Sequence, residues 1–345
     1  MSAQVNLEEK QILKCLPLVN FILSLLIVFH HSFTTNVDFT GSYSIGAYGW
    51  QVAAERFMYN LSECAVPIFY FLSAYLFYRT FDGSWEKYKT KIARRFFSLF
   101  IPYILFCSLG YIKHLAVSHV WGGILDYLHS LWICDTMPLW FIRELMALSL
   151  IAPIIYKLKQ NLPLTIAVCI LCITLVTLGY VPYRSFLYWL PIYIMGAMMT
   201  PDKWSTYSRT IKAHLPLFGI AGIAYIICVW FLPNGILQHN YRGNFEFVIF
   251  RIFTVVFFVA SACMLTKVDI EPKKWMNYSF FVFCMHFPVI SVMALLYGKT
   301  VKTIVGAELL EYTLTVISTY TICVIMAMAL QRFAPKLWTI LNGKR

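Results

Sequence analysis

The sequence predicts an all-α, polytopic membrane protein with about ten transmembrane helices and both termini in the cytoplasm. Of its 345 residues, 60% are hydrophobic and only 13% are charged, whereas about a quarter of the residues in a soluble globular domain are charged. The mean hydropathy of +0.68 agrees with this class. Apolar runs long enough to cross a bilayer recur along the chain, and no stretch between them could form a second domain. We therefore expect residues 1–345 to form a single integral-membrane domain.

The apolar runs predict where the membrane helices lie. They fall at about residues 16–33, 62–81, 96–113, 139–156, 163–180, 184–200, 215–232, 245–266, 279–297 and 312–331. Lysine and arginine are concentrated in alternate connections between these runs, above all in residues 79–95. Because such residues accumulate on the cytoplasmic side of a membrane, this pattern places both termini inside. The net charge of +12 therefore reads as a topology signal and argues against a nucleic-acid-binding groove.

The first run, Leu16 to Phe33, contains the polar residues on which the functional prediction depends. Asn20, Ser24 and His31 follow one another at offsets of four and seven residues, so they share one face of a helix. His30 points about 100° away from that face. A polar face inside a membrane is costly unless it meets protein or water, so we expect His31 to face the bundle interior. A structural histidine at the headgroup boundary is the alternative.

Charged and polar residues in other runs are further site candidates. Arg143 and Glu144 lie within the fourth run, where ionisable residues are functional candidates by default. For each of them, a structural ion pair with another helix is the alternative. As neighbours in sequence they should point in different directions and not pair with each other. Arg94 and Arg95 end the most basic inner segment and could grip phosphate groups, or could simply set topology and contact lipid phosphates. For the intramembrane His286, a hydrogen-bonded core role is favoured.

Small residues in the runs predict packing rather than chemistry. The second run is rich in aromatic residues around Ser73 and Ala74, and small side chains in a membrane helix let another helix approach closely. The ten cysteines do not form a disulfide framework. Only Cys64 and Cys134 lie near the outer face, and we do not favour a disulfide between them.

Two outer connections carry weaker predictions. The connection at residues 34–61 could form part of an acceptor site or be a plain loop. The connection at residues 114–138 includes an apolar patch typical of a short interfacial helix. It also contains His114, His119 and His129, whose spacing matches no familiar metal-ligand pattern.

Six segments, taken in order, carry a resemblance to a known family. They are VFHHSF, VPIFYFLSAYLF, ARRFFSLFIPYILF, LWFIRELMALSLIAP, YWLPIYIMGAM and SFFVFCMHFPVI. Over nearly its whole length the chain resembles the acyltransferase-3 family of bacterial integral-membrane O-acyltransferases. The resemblance implies about ten spans in the bacterial cytoplasmic (inner) membrane. It also implies transfer of an acetyl or similar acyl group from acyl-CoA to a hydroxyl of a cell-envelope carbohydrate.

The resemblance also bears on partners and site residues. The implied partners are acyl-CoA as donor substrate, a cell-envelope glycan or glycolipid as acceptor, and membrane lipid, with no nucleic acid, metal or permanently bound cofactor. In the family, an arginine or lysine usually stands eleven residues before an essential histidine. Counting back from His31 reaches Asn20, so the register favours His31, but the basic residue is missing. Arg95 and Arg143 match positions that are usually basic.

These observations lead to one mechanistic hypothesis. We expect His31 to act as a general base on the sugar hydroxyl, because a neutral imidazole suits that role at physiological pH. Asn20 or Ser24 would orient neighbouring groups, Arg143 would stabilise charge, and Arg95 would hold the donor phosphates. The candidate catalytic residues are His31, Arg143 and Glu144, and the candidate substrate-binding residues are Asn20, Ser24, Ser73, Arg94, Arg95 and His286.

Three alternatives stay open. The acyl group could pass through an acyl-histidine intermediate instead of moving directly. The protein could be a transporter or flippase for a lipid-linked sugar, although no inverted repeat is evident. It could also be a catalytically inactive relative, since the basic residue expected at position 20 is absent. Acetyl is the expected acyl group, and succinyl is an alternative.

Overall fold

Helices form every long element in a computed structural model that describes residues 2–32, 49–120, 122–232, 241–265, 270–301 and 307–344. No strand occurs within these ranges. The helices are α1 (Ser2–His31), α2 (Gly49–Ser62), α3 (Ala65–Tyr78), α4 (Trp85–Arg95), α5 (Ile101–Ser118), α6 (Gly123–Ile133), α7 (Trp140–Leu150), α8 (Ala152–Leu158), α9 (Leu162–Thr177), α10 (Phe186–Met198), α11 (Pro201–Ala213), α12 (Leu215–Phe231), α13 (Phe245–Leu265), α14 (Ser279–Thr300), α15 (Glu308–Phe333) and α16 (Pro335–Leu341). A π-helical turn at Phe96–Phe100 joins α4 to α5, and 3₁₀ turns at Tyr241–Gly243 and Lys274–Tyr278 precede α13 and α14.

Within the described residues, six continuous helical stretches have the length and composition to cross a membrane. They are Leu7–His31, Ala53–Tyr78, Trp85–Ser118, Phe245–Leu265, Lys274–Thr300 and Leu309–Phe333. The bent pair α11 and α12, which meet at 94°, would make a seventh. The prediction of a multi-pass helical membrane protein is therefore confirmed, while the number ten and the placement of the termini stay predictions.

Three predicted runs are shorter as helices than the sequence suggested. The run at 139–156 is divided between α7 and α8, and Pro153 stands in the first turn of α8, where its missing N–H does no harm. The runs at 163–180 and 184–200 form α9 and α10, of 16 and 13 residues. A 13-residue helix spans only about 20 Å, less than the roughly 30 Å hydrocarbon core.

The core is densest where α10 packs on α3. A Cβ atom added to Gly196 would lie 2.2 Å from the carbonyl oxygen of Phe71 and 2.9 Å from the Cβ atom of Ala74. Tyr70 stacks on Trp189 with ring centroids 4.8 Å apart. The prediction that small residues in the second run allow close helix approach is therefore confirmed at Ala74.

The bundle has two chemically different ends. At one end, called the basic end below, the lysine- and arginine-rich α4 lies beside the ion pair between the buried Glu9 and the half-buried Arg79, with an N–O distance of 2.7 Å. At the other end, called the histidine end, α1 terminates in His30 and His31. Since α1 runs from one end to the other, the charge pattern of the sequence and the helix directions agree.

The start of α4 is fixed by local hydrogen bonds. Ser84 caps the helix by accepting from the backbone N–H of Lys87. Asp82 forms an ion pair with the ammonium of Lys87 at 2.8 Å. Hydrogen bonds from Lys87 and Ser84 hold the pKa of Asp82 well below its ordinary value. This turn sets the direction in which α4 delivers Arg95 to the bundle.

Of the two outer connections, the first contains a helix that was not predicted, and the second contains the short helix that was predicted. Residues 33–48 lie outside the described part of the chain, so an acceptor site there is not addressed. The second half of the predicted loop at 34–61 is the helix α2, and Glu55 and Asn60 are buried in it. The apolar patch of the second connection forms α6, as predicted, with Leu125 and Trp132 exposed.

Candidate active site

A cavity of about 860 Å³ opens among α1, α3, α7, α14 and α16. Its volume lies within the usual range for small-molecule and cofactor sites. Leu13, Leu16, Pro17 and Asn20 line it from the middle of α1, and no residue of α1 after Asn20 contributes to the lining. The cavity thus belongs to the basic end and stops short of His31.

The mouth of the cavity is polar and positively charged. Arg95 donates to the Ser73 hydroxyl at 2.9 Å and to the Ser73 carbonyl at 3.2 Å. Lys274, which begins the 3₁₀ turn before α14, also lines the cavity, as does Asn342. Two cations and several neutral hydrogen-bonding groups therefore surround one opening, an arrangement suited to phosphate groups.

The deep end of the cavity is closed by three phenylalanine rings. Phe69, Phe141 and Phe283 are the lining residues nearest the histidine end on α3, α7 and α14. Their ring centroids are 5.9 Å apart for Phe69 and Phe141, 5.9 Å for Phe141 and Phe283, and 6.4 Å for Phe69 and Phe283. The cavity is therefore polar at its mouth and apolar at its closed end.

A pair of histidines lies directly beyond these rings. His286 follows Phe283 by one helical turn, and its Nδ1 atom is 2.7 Å from the Phe283 carbonyl oxygen. The ring of His31 is 5.2 Å from that of His286, centroid to centroid, and 5.8 Å from that of Phe287. His31 therefore faces the bundle interior, as the sequence predicted, with an imidazole as its neighbour.

His30, in contrast, is bonded through both of its ring nitrogens. The hydroxyl of Ser62 donates to the Tyr59 carbonyl, so its oxygen accepts from His30 Nδ1 at 2.8 Å. That bond requires a proton on Nδ1, and Nε2 then accepts from Arg242 at 3.3 Å. Tyr59 also stacks on the ring at 4.3 Å. His30 therefore has no free lone pair with which to act as a base.

A buried ion cluster holds His30 in place. Glu63, with a side chain only 2% exposed, accepts from Arg242 at 2.7 Å and from Arg251 at 3.1 Å. Arg251 also donates to Tyr188 and lies over its ring. Paired charges of this kind tolerate burial only as a set, because removing one partner leaves another uncompensated. The cluster therefore joins the end of α1, the junction between α2 and α3, α10, and the 3₁₀ turn and α13 at the histidine end.

Arg143 and Glu144 pair with each other, and the prediction that they would not is wrong. Arg143 Nε donates to Glu144 Oε1 at 2.7 Å, and Nη2 of the same guanidinium lies 2.5 Å from that oxygen. Although the two Cβ atoms diverge on the helix, the long arginine side chain folds back over its neighbour. Its remaining N–H groups donate to the carbonyls of Trp132 and Arg184. Arg143 therefore braces two outer connections and does not line the cavity described above.

The remaining candidates occupy different surroundings. Ser24 donates to the Phe21 carbonyl at 2.9 Å and also pairs with the Tyr320 hydroxyl at 3.0 Å, and it is not among the cavity-lining residues. Thus Asn20, Ser24 and His31 each meet a different environment and do not line one common space. Arg94 is exposed beside the cavity-lining Arg95. The structure brings Asn20, Ser73 and Arg95 together, whereas their roles stay predictions.

Within the described residues, the cysteines and the outer histidines form neither a disulfide nor a metal site. Cys64 and Cys134 are buried free thiols, and Cys134 pairs with the hydroxyl of Tyr103 at 3.1 Å. Across the described ranges, no group of three or more His, Cys, Asp or Glu side chains is placed to hold a metal ion.

Sequence reasoning missed the partners of His30. Glu63 and Arg242 are separated by 179 positions, so no local spacing connects them. One signal was available, since Glu63 is an acidic residue at the start of the apolar run at 62–81 and an ionisable residue there needs a partner. Arg251 inside the run at 245–266 offered the complementary signal.

Fold and site together define a multi-pass helical membrane protein with a cavity that is cationic at its mouth, apolar at its closed end and followed by a histidine pair. The family model described as "Acyltransferase domain" (Acyl_transf_3) matches residues 16–328. The chain belongs to the acyltransferase-3 family and is a membrane acyltransferase. Comparison with curated proteins and with solved structures gives no match.

Proposed function

We propose that the protein moves an acetyl or similar short acyl group from acyl-CoA to a hydroxyl of a cell-envelope carbohydrate in the bacterial cytoplasmic membrane. Family membership supports acyl transfer in general. The observation that carries the finer proposal is the order in which the cavity, its phenylalanine rings and the His31–His286 pair follow one another from the basic end to the histidine end.

The cavity suits a donor with a charged head and an apolar tail. Arg95 and Lys274 at its mouth offer cationic groups for phosphate oxygens, and arginine binds them through two parallel hydrogen bonds. The apolar closed end suits a thioester arm and its acyl group. This arrangement supports a cytosolic acyl-CoA that enters with its acyl group first and leaves its nucleotide near the basic end.

The distance from donor to base can be bridged by an extended arm. Asn20 lines the cavity and His31 lies eleven residues further along α1, which is about 16 Å along the helix axis. Phe69, Phe141 and Phe283 occupy the route between them. The acyl group must therefore pass between these rings to meet His31. Movement of the rings would admit the acyl group, and their apolar surface would exclude water from the route.

His31 is the better base because His30 is engaged. Arg242 occupies the lone pair of His30, whereas within the described residues the ring of His31 lies against other rings and makes no hydrogen bond. In the proposed reaction, His31 takes the proton from the sugar hydroxyl while the oxygen attacks the thioester carbonyl carbon. The C–S bond then breaks, the thiolate receives the proton from His31, and free CoA leaves through the basic end.

A labelled-transfer assay tests this proposal. Purified protein in lipid vesicles is incubated with acetyl-CoA carrying a radiolabelled acetyl group and a panel of envelope glycans and glycolipids. We expect label in a glycan with wild type and with the control His129→Ala, whose ring is exposed, and a large loss with His31→Ala. Normal transfer by His31→Ala would remove His31 from the mechanism. Movement of unmodified glycan across the vesicle, without acyl transfer, would favour a transporter or flippase.

A further inference from the structure

His286 presents a buried hydrogen-bond acceptor that has no donor. The side chain is 1% exposed, and its Nδ1 atom lies 2.7 Å from the carbonyl oxygen of Phe283. A carbonyl can only accept, so Nδ1 carries the proton, and in the neutral ring Nε2 then has only a lone pair. Among the described residues Nε2 has no hydrogen-bond partner. A buried acceptor left in this state is unfavourable, so a donor is expected in some working state of the protein.

His31 is placed to supply that donor. The two ring centroids are 5.2 Å apart with the planes tilted by 35°. Two imidazoles joined edge to edge by an N–H···N bond of about 2.9 Å have centroids roughly 5 Å apart. The separation is therefore right for a hydrogen bond, and a rotation of the His31 ring about its Cβ–Cγ bond would complete it.

We infer that His286 is a positioning residue whose Nε2 accepts a hydrogen bond from His31 and so stabilises His31 when it takes up the substrate proton. This inference rests on the proposed function. A neutral His31 that receives a proton on one nitrogen becomes an imidazolium with an N–H on each nitrogen. One N–H carries the proton that later passes to the leaving thiolate, and the other points at His286. The proton count of His286 does not change, and no other reactant is needed.

This arrangement follows the logic by which a base is oriented by a third group, with an imidazole in the orienting position. The Phe283 carbonyl fixes the tautomer of His286, so His286 cannot turn its lone pair away without breaking that bond. Because Phe283 also closes the cavity, one residue connects the donor route to the orientation of the base.

Two variants at position 286 test the inference by activity. In His286→Gln the side-chain carbonyl can stand near the position of Nε2 and accept, whereas His286→Leu fills similar space without an acceptor. We expect the leucine variant to lose about 30-fold or more in kcat, with the KM for acetyl-CoA within about twofold of wild type. The glutamine variant should keep at least about a third of the wild-type kcat. Thermal unfolding in detergent, followed by tryptophan fluorescence, controls for folding of both variants.

The outcomes separate this inference from the proposed function. Equal losses in both folded variants, or a wild-type kcat in the leucine variant, would overturn the role of His286 while leaving acyl transfer intact. Absence of transfer by wild type, or full transfer by His31→Ala, would overturn the proposed function and this inference with it. A readout independent of activity is ¹⁵N NMR of histidine-labelled protein, with the His286 signals assigned by difference from His286→Gln. We expect a proton on Nδ1, and a proton found on Nε2 instead would contradict the inference.

Discussion

The guanidinium of Arg95 is tied to Ser73 by two hydrogen bonds, one to the hydroxyl at 2.9 Å and one to the carbonyl at 3.2 Å. These bonds link the last residue of α4 to the middle of α3, at the mouth of the cavity. They hold the cation in a fixed position before any ligand arrives, which lowers the entropy cost of binding. Neighbouring Arg94 is exposed.

Replacement of Arg95 by alanine should weaken donor binding. A charge-assisted hydrogen bond to phosphate contributes roughly 1.5–3 kcal/mol, so the KM for acetyl-CoA should rise about 10- to 100-fold in Arg95→Ala. The matched control is Arg94→Ala, which should stay within about twofold of wild type. Initial rates against acetyl-CoA concentration measure both. An equal rise in the two variants would show that general charge at the basic end, rather than the cavity residue, attracts the donor.

Removing one phenylalanine ring at the closed end of the cavity should change which acyl groups the protein transfers. Phe69 is half-buried between Phe141 and Phe283, and Phe69→Ala would enlarge the route toward His31. We expect the ratio of kcat/KM for butyryl-CoA to that for acetyl-CoA to rise by about tenfold, the effect of one to two methylene groups in an apolar site. The control Phe231→Ala alters a ring that is 74% exposed and should leave the ratio unchanged. An unchanged ratio in Phe69→Ala would place the acyl group elsewhere.

Glu63→Gln should destabilise the fold. It leaves the buried Arg251 and the half-buried Arg242 without their shared carboxylate, and breaking such a set costs about 3–5 kcal/mol. Thermal unfolding of the purified protein in detergent should therefore occur at a clearly lower temperature. Glu271→Gln is the matched control, because that side chain is 83% exposed and its pairing with Lys14 is loose at 3.7 Å. Identical midpoints for the two variants would contradict a structural role for the cluster.

Gly196→Ala should disturb the contact between α3 and α10. The added methyl would lie 2.2 Å from the Phe71 carbonyl oxygen, a backbone atom that cannot move alone, and overpacking of this kind costs about 1–3 kcal/mol. Gly219→Ala is the control, since nothing lies within 4 Å of an added Cβ there. We expect the thermal unfolding temperature to fall for Gly196→Ala and to stay at the wild-type value for Gly219→Ala. The opposite order would mean that α10 can shift without penalty.

Much of the fold could be predicted from composition and local pattern. The apolar runs indicated the membrane helices because burial of apolar surface in lipid dominates their placement. Helix length was less predictable, because the points at which helices end depend on packing against neighbours as well as on hydropathy. The break before Pro153 and the short α10 are the two examples. Ala74 was placed correctly as a contact point because a small residue in a membrane helix has few other purposes.

The sequence indicated individual site residues but not the contacts between residues that are far apart in the chain. The register on α1 separated His31 from His30, and the structure explains the difference through the bonds that Arg242 and Ser62 make to His30. The neighbour of His31 is His286, 255 positions later (286 − 31), and no periodicity in a single sequence connects two such residues. The prediction that Arg143 would not pair with Glu144 was wrong because the arginine side chain is long. A helix-face argument places Cβ atoms and not the ends of flexible side chains.

The central claim is that His31 is the base that activates the acceptor hydroxyl. The most direct measurement is the rate of labelled acetyl transfer by His31→Ala, with and without added imidazole, compared with wild type in the same vesicles. The account predicts a loss of about 100-fold or more, unchanged thermal stability, and partial recovery when imidazole is supplied. A folded His31→Ala protein that transfers acetyl at the wild-type rate would contradict it.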